Sequence, residues 1–219
     1  MTYIILATIF FLTLIAGFII GIGLLFKKNK FKKYNKIYIA WLSIYTLFII
    51  FGTGPSLNRA RIQKNSHYKL PWQEGVEHFV SQGNKSFTSH RDLHLYAWDF
   101  WMPIGTKILA SRSGKVIKVI DHFDGIGIES NLIKIEHLDK SKALYAHIKK
   151  HGSLVKEGDN ILQGQVIALS GMVGQTINPH LHFVVFNKDE TESIPISFSD
   201  VDGGVPLAGH FYTSQNKKN

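Results

Sequence analysis

The sequence predicts an all-β domain of antiparallel sheets, rolled or sandwiched, preceded by a two-helix transmembrane hairpin. Three observations carry that prediction. Two uncharged apolar runs open the chain, at residues 3–26 and 37–54. Short β-branched runs separated by Gly, Asp and Asn then fill residues 69–205, and no helical period competes with them. One of these runs, "HLHFVVF" at residues 180–186, sets two histidines two positions apart at the head of an apolar stretch.

The first apolar run, "YIILATIFFLTLIAGFIIGIGLLF", exceeds the roughly 20 residues a helix needs to cross a bilayer. A cleaved signal peptide would have a basic start, a shorter apolar core and a small-residue cleavage site, none of which is present. The second run, "IYIAWLSIYTLFIIFGTG", is near the lower length limit, carries Trp41 and tyrosines suited to a membrane interface, and ends before Pro55. Between them lie Lys27, Lys28, Lys30, Lys32, Lys33 and Lys36, and residues 1–57 contain no acid. Short lysine-rich loops stay in the cytoplasm. The expected topology therefore puts the 27–36 turn inside, and the N-terminus and everything after about residue 57 outside. The chain is expected in the cytoplasmic (inner) membrane, multi-pass, with its β domain on the periplasmic or extracellular side. The expected boundaries are 1–57 for the anchor, 58–68 for a tether, 69–205 for the β domain and 206–219 for a C-terminal tail ending in a disordered "TSQNKKN".

The formal net charge is +9, but residues 58–219 hold 19 basic residues against all 16 acids, a net of +3. The basicity belongs largely to the lysine turn, which argues against nucleic acid as a partner. With no cysteine there is no disulfide framework, and any metal site must use His, Asp or Glu.

The strand candidates are "TKILA", "GKVIKVI", "NLIKIEH", "KALYAHI", "QVIALSG" and "HLHFVVF". Side chains alternate faces along a strand, so His180 and His182 point one way while Leu181, Phe183 and Val185 point into a core. By the same rule Ala143, Tyr145 and His147 share a face. Asp99, flanked by Trp98 and Phe100 in "YAWDF", is costly to bury unless paired or bound to a cation. Upstream, "SFTSHRDLHLYAWD" offers His90 and His94. The plain alternatives are solvated surface histidines and an acid in a salt bridge or on an edge strand. Taken together, the set suits a metal held by nitrogen and oxygen donors with an open fourth position.

The segments "MPIGTKILASRSGKVIKV", "LYAHI", "VKEGDNILQGQVIALSG" and "NPHLHF", in that order, resemble the lysostaphin-type (LytM-like) zinc metallopeptidases, which cut peptides of bacterial peptidoglycan. The resemblance covers about residues 70–200. It implies Zn2+ held by His90, Asp99 and His182, with His180 as catalytic base or proton shuttle. His147 would orient the water or stabilise the oxyanion. The common family form is His-x-x-x-Asp, and this chain departs from it: His94 lies five residues before Asp99 and His90 nine. A five-residue spacing turns a side chain to the opposite face of an extended segment unless a bulge intervenes. His90 can return only if residues 91–96 form a loop. His90 is the ligand adopted here and His94 the alternative. The implied activity is zinc-dependent hydrolysis of stem-peptide or cross-bridge bonds, with peptidoglycan peptides as partner. The competing readings are an inactive cell-wall-binding or hydrolase-activating homologue, and a biotinyl/lipoyl-like membrane adaptor. His67, His78, His122, His137, His151 and His210 are expected to be surface or structural.

Overall fold

In a computed structural model of the chain, residues 67–86 and 88–218 are described; the expected hairpin and nearly all of the tether lie outside them. The β-branched runs form strands where the alternation places them. In chain order the strands are β1 (Glu77–Gln82), β2 (Trp98–Trp101), β3 (Lys107–Leu109), β4 (Gly114–Ile120), β5 (Leu132–Glu136), β6 (Lys142–Ala146), β7 (Ile148–Ser153), β8 (Asn160–Ile161), β9 (Val166–Ser170), β10 (His180–Phe186) and β11 (Phe211–Thr213). A single 3-10 turn, Asp92–His94, is the helical element among the described residues. One sheet runs β11-β1-β2-β10-β6-β5-β4-β8 and a smaller one β3-β9-β7, with antiparallel pairing throughout.

Leu181, Phe183 and Val185 of β10 are fully buried in the main core with Trp98 and Phe100 of β2 and Ile133 and Ile135 of β5. Burying each such side chain contributes about 1.5–3 kcal/mol. On the opposite face, Val184 and Phe186 join Ala97, Leu144 and Ala146 in a second, smaller cluster. The middle of the large sheet is thus covered on both sides beyond the histidines. Its register aligns Gln82 with Asp99, Asp99 with His182, and His182 with Ala146, in one row across four strands.

Two expectations are corrected. His147 does not share the face of Tyr145. Tyr145 is in the main core, its ring 5.1 Å from that of Phe183. His147 follows the end of β6 with φ of +63°, a left-handed conformation that breaks the alternation. The backbone turn puts His147 beside His180, with ring centroids 4.6 Å apart, and returns Ile148 to the core. The second correction concerns the tail expected at 206–219: its described residues, 206–218, contribute to the domain. β11 pairs with β1, and Ser214 and Asn216 are buried. Asn216 Nδ2 donates to the carbonyls of Leu70 at 3.0 Å and Ala110 at 3.2 Å. A polar segment docks here because its amide adds a second donor to each of two buried carbonyls, which already accept from Trp72 N–H and Gly164 N–H.

His78 and His137 are structural, as expected, and they make the fold acid-sensitive. His78 packs edge-on to Trp72 at 5.1 Å, and His137 packs edge-on to Tyr68 at 5.3 Å. Burial pushes each imidazole down to about 4. The unfolded chain takes up these protons near pH 6.5, the folded chain only near pH 4. Stability from the neutral rings is therefore complete above about pH 6.5 and lost as the pH falls towards 4, by about 3 kcal/mol per ring. Urea unfolding between pH 7 and 4 should show this fall, and a His78→Gln/His137→Gln variant should show a shallower one; equal slopes would remove these two residues as the cause.

Candidate metal centre

The row Gln82–Asp99–His182 supplies the floor of the site. Asp99 sits on β2 between β1 and β10, so it is not an edge-strand acid. Its side chain is 4% exposed. Burial alone would raise its pKa, but hydrogen bonds from His182 and His90 hold it well below the usual carboxylate range. His182 Nδ1 lies 2.8 Å from Asp99 Oδ1.

His90 reaches the same oxygen from outside the strand. Residues 83–86 and 88–91 lie outside any strand after β1, and the 3-10 turn then leads into β2. His90 is fully buried, with Nε2 3.2 Å from Asp99 Oδ1. Its Nδ1–H donates to the carbonyl of Gly83 at 2.8 Å. Nε2 is then a lone pair when the ring is neutral, and donates to Asp99 Oδ1 only when the ring takes up a second proton. Donor atoms of His90, Asp99 and His182 all lie within 4.8 Å of one another. Two imidazole nitrogens and one carboxylate oxygen, buried and convergent, fit zinc with a position left open. Protons compete for the same place. Burial lowers the pKa of His90, but the hydrogen bond and charge of Asp99 more than reverse this.

His94 takes a different position. It ends the 3-10 turn, and its Nδ1 lies 2.9 Å from His182 Nε2, the ring nitrogen that faces away from the cluster. Such a bond fixes the orientation of a metal-binding imidazole without contributing a ligand.

His180 and His147 stand beside this triad. His180 Nδ1–H donates to the carbonyl of Asn178 at 2.9 Å, with Thr176 Oγ1 at 3.1 Å, and its Nε2 lies 3.6 Å from Asp99 Oδ1. His147 Nδ1–H donates to the carbonyl of Val173 at 2.8 Å, with Ser130 Oγ at 3.2 Å. Burial, then the neighbouring His180 and His182, lowers its pKa to about 4. Gly174 permits this arrangement: it has φ of +100°, and a Cβ there would lie 2.7 Å from Ser130 Cβ. The structure thus brings all five sequence-predicted residues to one place. Sequence reasoning missed Gln82, whose Nε2 donates to Asp99 Oδ2 at 2.6 Å. It also missed Thr176 and Ser130, which carry no signal in a single polar loop sequence.

Residues 94–194 match the sequence model of Peptidase family M23. The match spans Asp99, His147, His180 and His182 but leaves out His90, whose place rests on geometry. Over 117 residues the chain is 41% identical to peptidoglycan DD-endopeptidase ShyB of Vibrio cholerae, covering 53% of this chain and 25% of that protein. Over 88 residues it is 38% identical to lysostaphin of Staphylococcus simulans, covering 40% of this chain and 17% of that protein. The chain therefore spans about a quarter or less of the curated relatives it matches. It is also similar to a crystal structure of a zinc-containing peptidase from Vibrio cholerae, with 29% identity, a TM-score of 0.40, and coverage of 59% of this chain and 38% of that one.

The division between His90 and His94 has a direct check. His90→Ala should lose the metal, whereas His94→Ala should keep it at full stoichiometry, with affinity weakened by at most about 10–100-fold. Zinc content of the two purified variants decides it: metal retained in His90→Ala and lost in His94→Ala would exchange their roles.

Proposed function

We propose, from the premise that residues 94–194 are a zinc metallopeptidase segment of the M23 type, that this chain is a zinc-dependent peptidoglycan endopeptidase. It hydrolyses peptide bonds of cell-wall stem peptides or cross-bridges. The observation that carries this reading is the convergence of His90 Nε2, Asp99 Oδ1 and His182 Nδ1 next to two further imidazoles. The substrate class comes from the relatives named peptidoglycan DD-endopeptidase and lysostaphin. An inactive homologue or a lipoyl-like adaptor has no use for a buried donor set of this kind.

When bound, zinc polarises the scissile carbonyl and activates a water for attack. The chain's own residues do the rest. Asp99 and two neutral ligand imidazoles would offset only one of the two charges of a bound Zn2+, so the loaded site would keep a net positive charge that suits charge developing on the carbonyl oxygen. His180 presents Nε2 as a proton acceptor because its Nδ1–H is committed to Asn178. It takes the proton of the attacking water and returns it to the leaving amine. His147, with Nδ1–H committed to Val173 and its ring held neutral, presents Nε2 as an acceptor beside His180, their ring centroids 4.6 Å apart. As an acceptor it orients the attacking water; the other expected role, stabilising the oxyanion, would need a proton on Nε2. His180 opens β10 and His147 sits at the turn after β6, not on long loops, which keeps their placement narrow.

The same proposal places the chain in the cytoplasmic membrane. The two apolar runs at 3–26 and 37–54 and the six lysines between them support a hairpin with the β domain outside. Peptidoglycan lies on that side.

Three outcomes are expected. The zinc-loaded protein should release peptide fragments from purified peptidoglycan, identified by mass spectrometry. His180→Ala and His147→Ala should keep zinc yet lose about 10²–10⁴-fold in turnover; full turnover in both would remove the proton-transfer assignment. For topology, a reporter active only in the cytoplasm, fused after Asn219, should stay silent, and a strong signal would reverse the orientation.

A further inference from the structure

Asp99 offers two carboxylate oxygens, and the structure uses them differently. Oδ1 faces His182 Nδ1 at 2.8 Å, His90 Nε2 at 3.2 Å and His180 Nε2 at 3.6 Å. Oδ2 faces Gln82, whose Nε2 donates to it at 2.6 Å. The amide is oriented by chemistry: a carboxylate accepts, so the NH2 of Gln82 must face it and Oε1 must face away. On that far side Oε1 takes hydroxyls from the loop that leads to His90. Ser86 Oγ donates at 2.7 Å, Ser89 Oγ at 3.1 Å, and Thr88 Oγ1 donates as well. Gln82 is also the cross-strand partner of Asp99, at a register shift in the β1–β2 pair that follows Val80.

We propose that Gln82 is a positioning residue of the metal centre: it keeps Asp99 a single-oxygen ligand and, through the hydroxyls of residues 86–89, closes the loop that delivers His90. This rests on the zinc-peptidase reading and adds to it the device by which a nine-residue His–Asp spacing builds the site. With Oδ2 held, the carboxylate presents Oδ1 alone to the cluster. Without Gln82, Oδ2 is free to rotate towards the same cation, adding a second oxygen and filling the open position. The loop also loses the acceptor its hydroxyls share.

The test uses the full chain and the near-isosteric substitution Gln82→Met, which keeps volume and removes the hydrogen bond donated to Asp99 and the three accepted from the loop hydroxyls. Zinc affinity is measured by competition with a chromophoric chelator. The visible spectrum of the Co2+-substituted protein reports coordination, because four-coordinate Co2+ absorbs more strongly than five-coordinate. The expected result is a 10–100-fold loss in zinc affinity and a weakened Co2+ band. A purely structural loop staple would lower the melting temperature of the metal-free protein but leave affinity and spectrum at wild-type values; that outcome overturns the proposal. Should Gln82→Met fail to fold, Ser86→Ala/Thr88→Ala keeps the contact to Asp99 and removes two loop donors. It should lose several-fold in affinity with an unchanged Co2+ band, and wild-type affinity there overturns the loop role. If the wild-type protein itself binds no zinc, the functional reading falls together with the proposal. If the wild type binds zinc and releases peptidoglycan fragments while Gln82→Met matches it in affinity and spectrum, the proposal alone falls.

Discussion

A carboxylate buried in the middle of a β-sheet is the constraint around which the domain is arranged. Moving an ion of that size out of water costs several kcal/mol even after relaxation. The sheet supplies compensation within one row: Gln82 on one side of Asp99 and His182 on the other, both in cross-strand register. His90 completes the set from a loop. The apolar neighbours Trp98 and Phe100 point into the opposite core and keep that row rigid. Removing any one partner would leave a charge half-paired in a dry environment. The carboxylate therefore selects its surroundings as strongly as the surroundings select the carboxylate.

The second regularity concerns tautomers. His90, His147 and His180 each commit Nδ1–H to a backbone carbonyl, those of Gly83, Val173 and Asn178 respectively. Each ring then has one possible lone-pair nitrogen, Nε2. A carbonyl has no proton to give, so this choice does not vary with rotation of a hydroxyl or flip of an amide. His182 is reversed: Nδ1 faces Asp99 and Nε2 faces His94. The difference between the two histidines of "HLH" thus comes from their partners, since the strand alternation makes them equivalent.

Much of this was legible in the sequence. The runs chosen for β-branched residues became β3, β4, β5, β6, β9 and β10, because their alternation matches a half-buried pleat. Asp99 was marked by its aromatic flanks and the histidine pair by its spacing. What failed has physical reasons. The face of His147 was misread because periodicity assumes a regular backbone, and one residue with φ of +63° reverses it. β7, "IKKHGS", was missed because Lys149, Lys150 and His151 are all exposed and leave no alternation to read. The C-terminal segment reads as a tail because its contribution is made by Ser214 and Asn216 through hydrogen bonds, which hydropathy does not register. Gln82 was invisible for the same reason: a lone glutamine has no pattern until its partner across the strands is known.

The longer His–Asp spacing has a calculable consequence. With four residues between the donors' positions, both would lie on one face of one extended segment, and the pleat itself would set their separation. With nine, the ring must be recovered by closing a loop. Loop-closure entropy grows only as the logarithm of length, so going from four to nine residues costs about 0.7 kcal/mol. A single hydrogen bond from the His90 ring to the Gly83 carbonyl contributes about 1 kcal/mol. The two nearly cancel, and the extended form is thermodynamically close to neutral even before the Gln82 contacts are counted. What the extra residues add is space for the 3-10 turn that carries His94 onto the outer nitrogen of His182. A two-strand arrangement of the donors offers no equivalent position for that imidazole, because the segment before Asp99 would itself be occupied by the ligand.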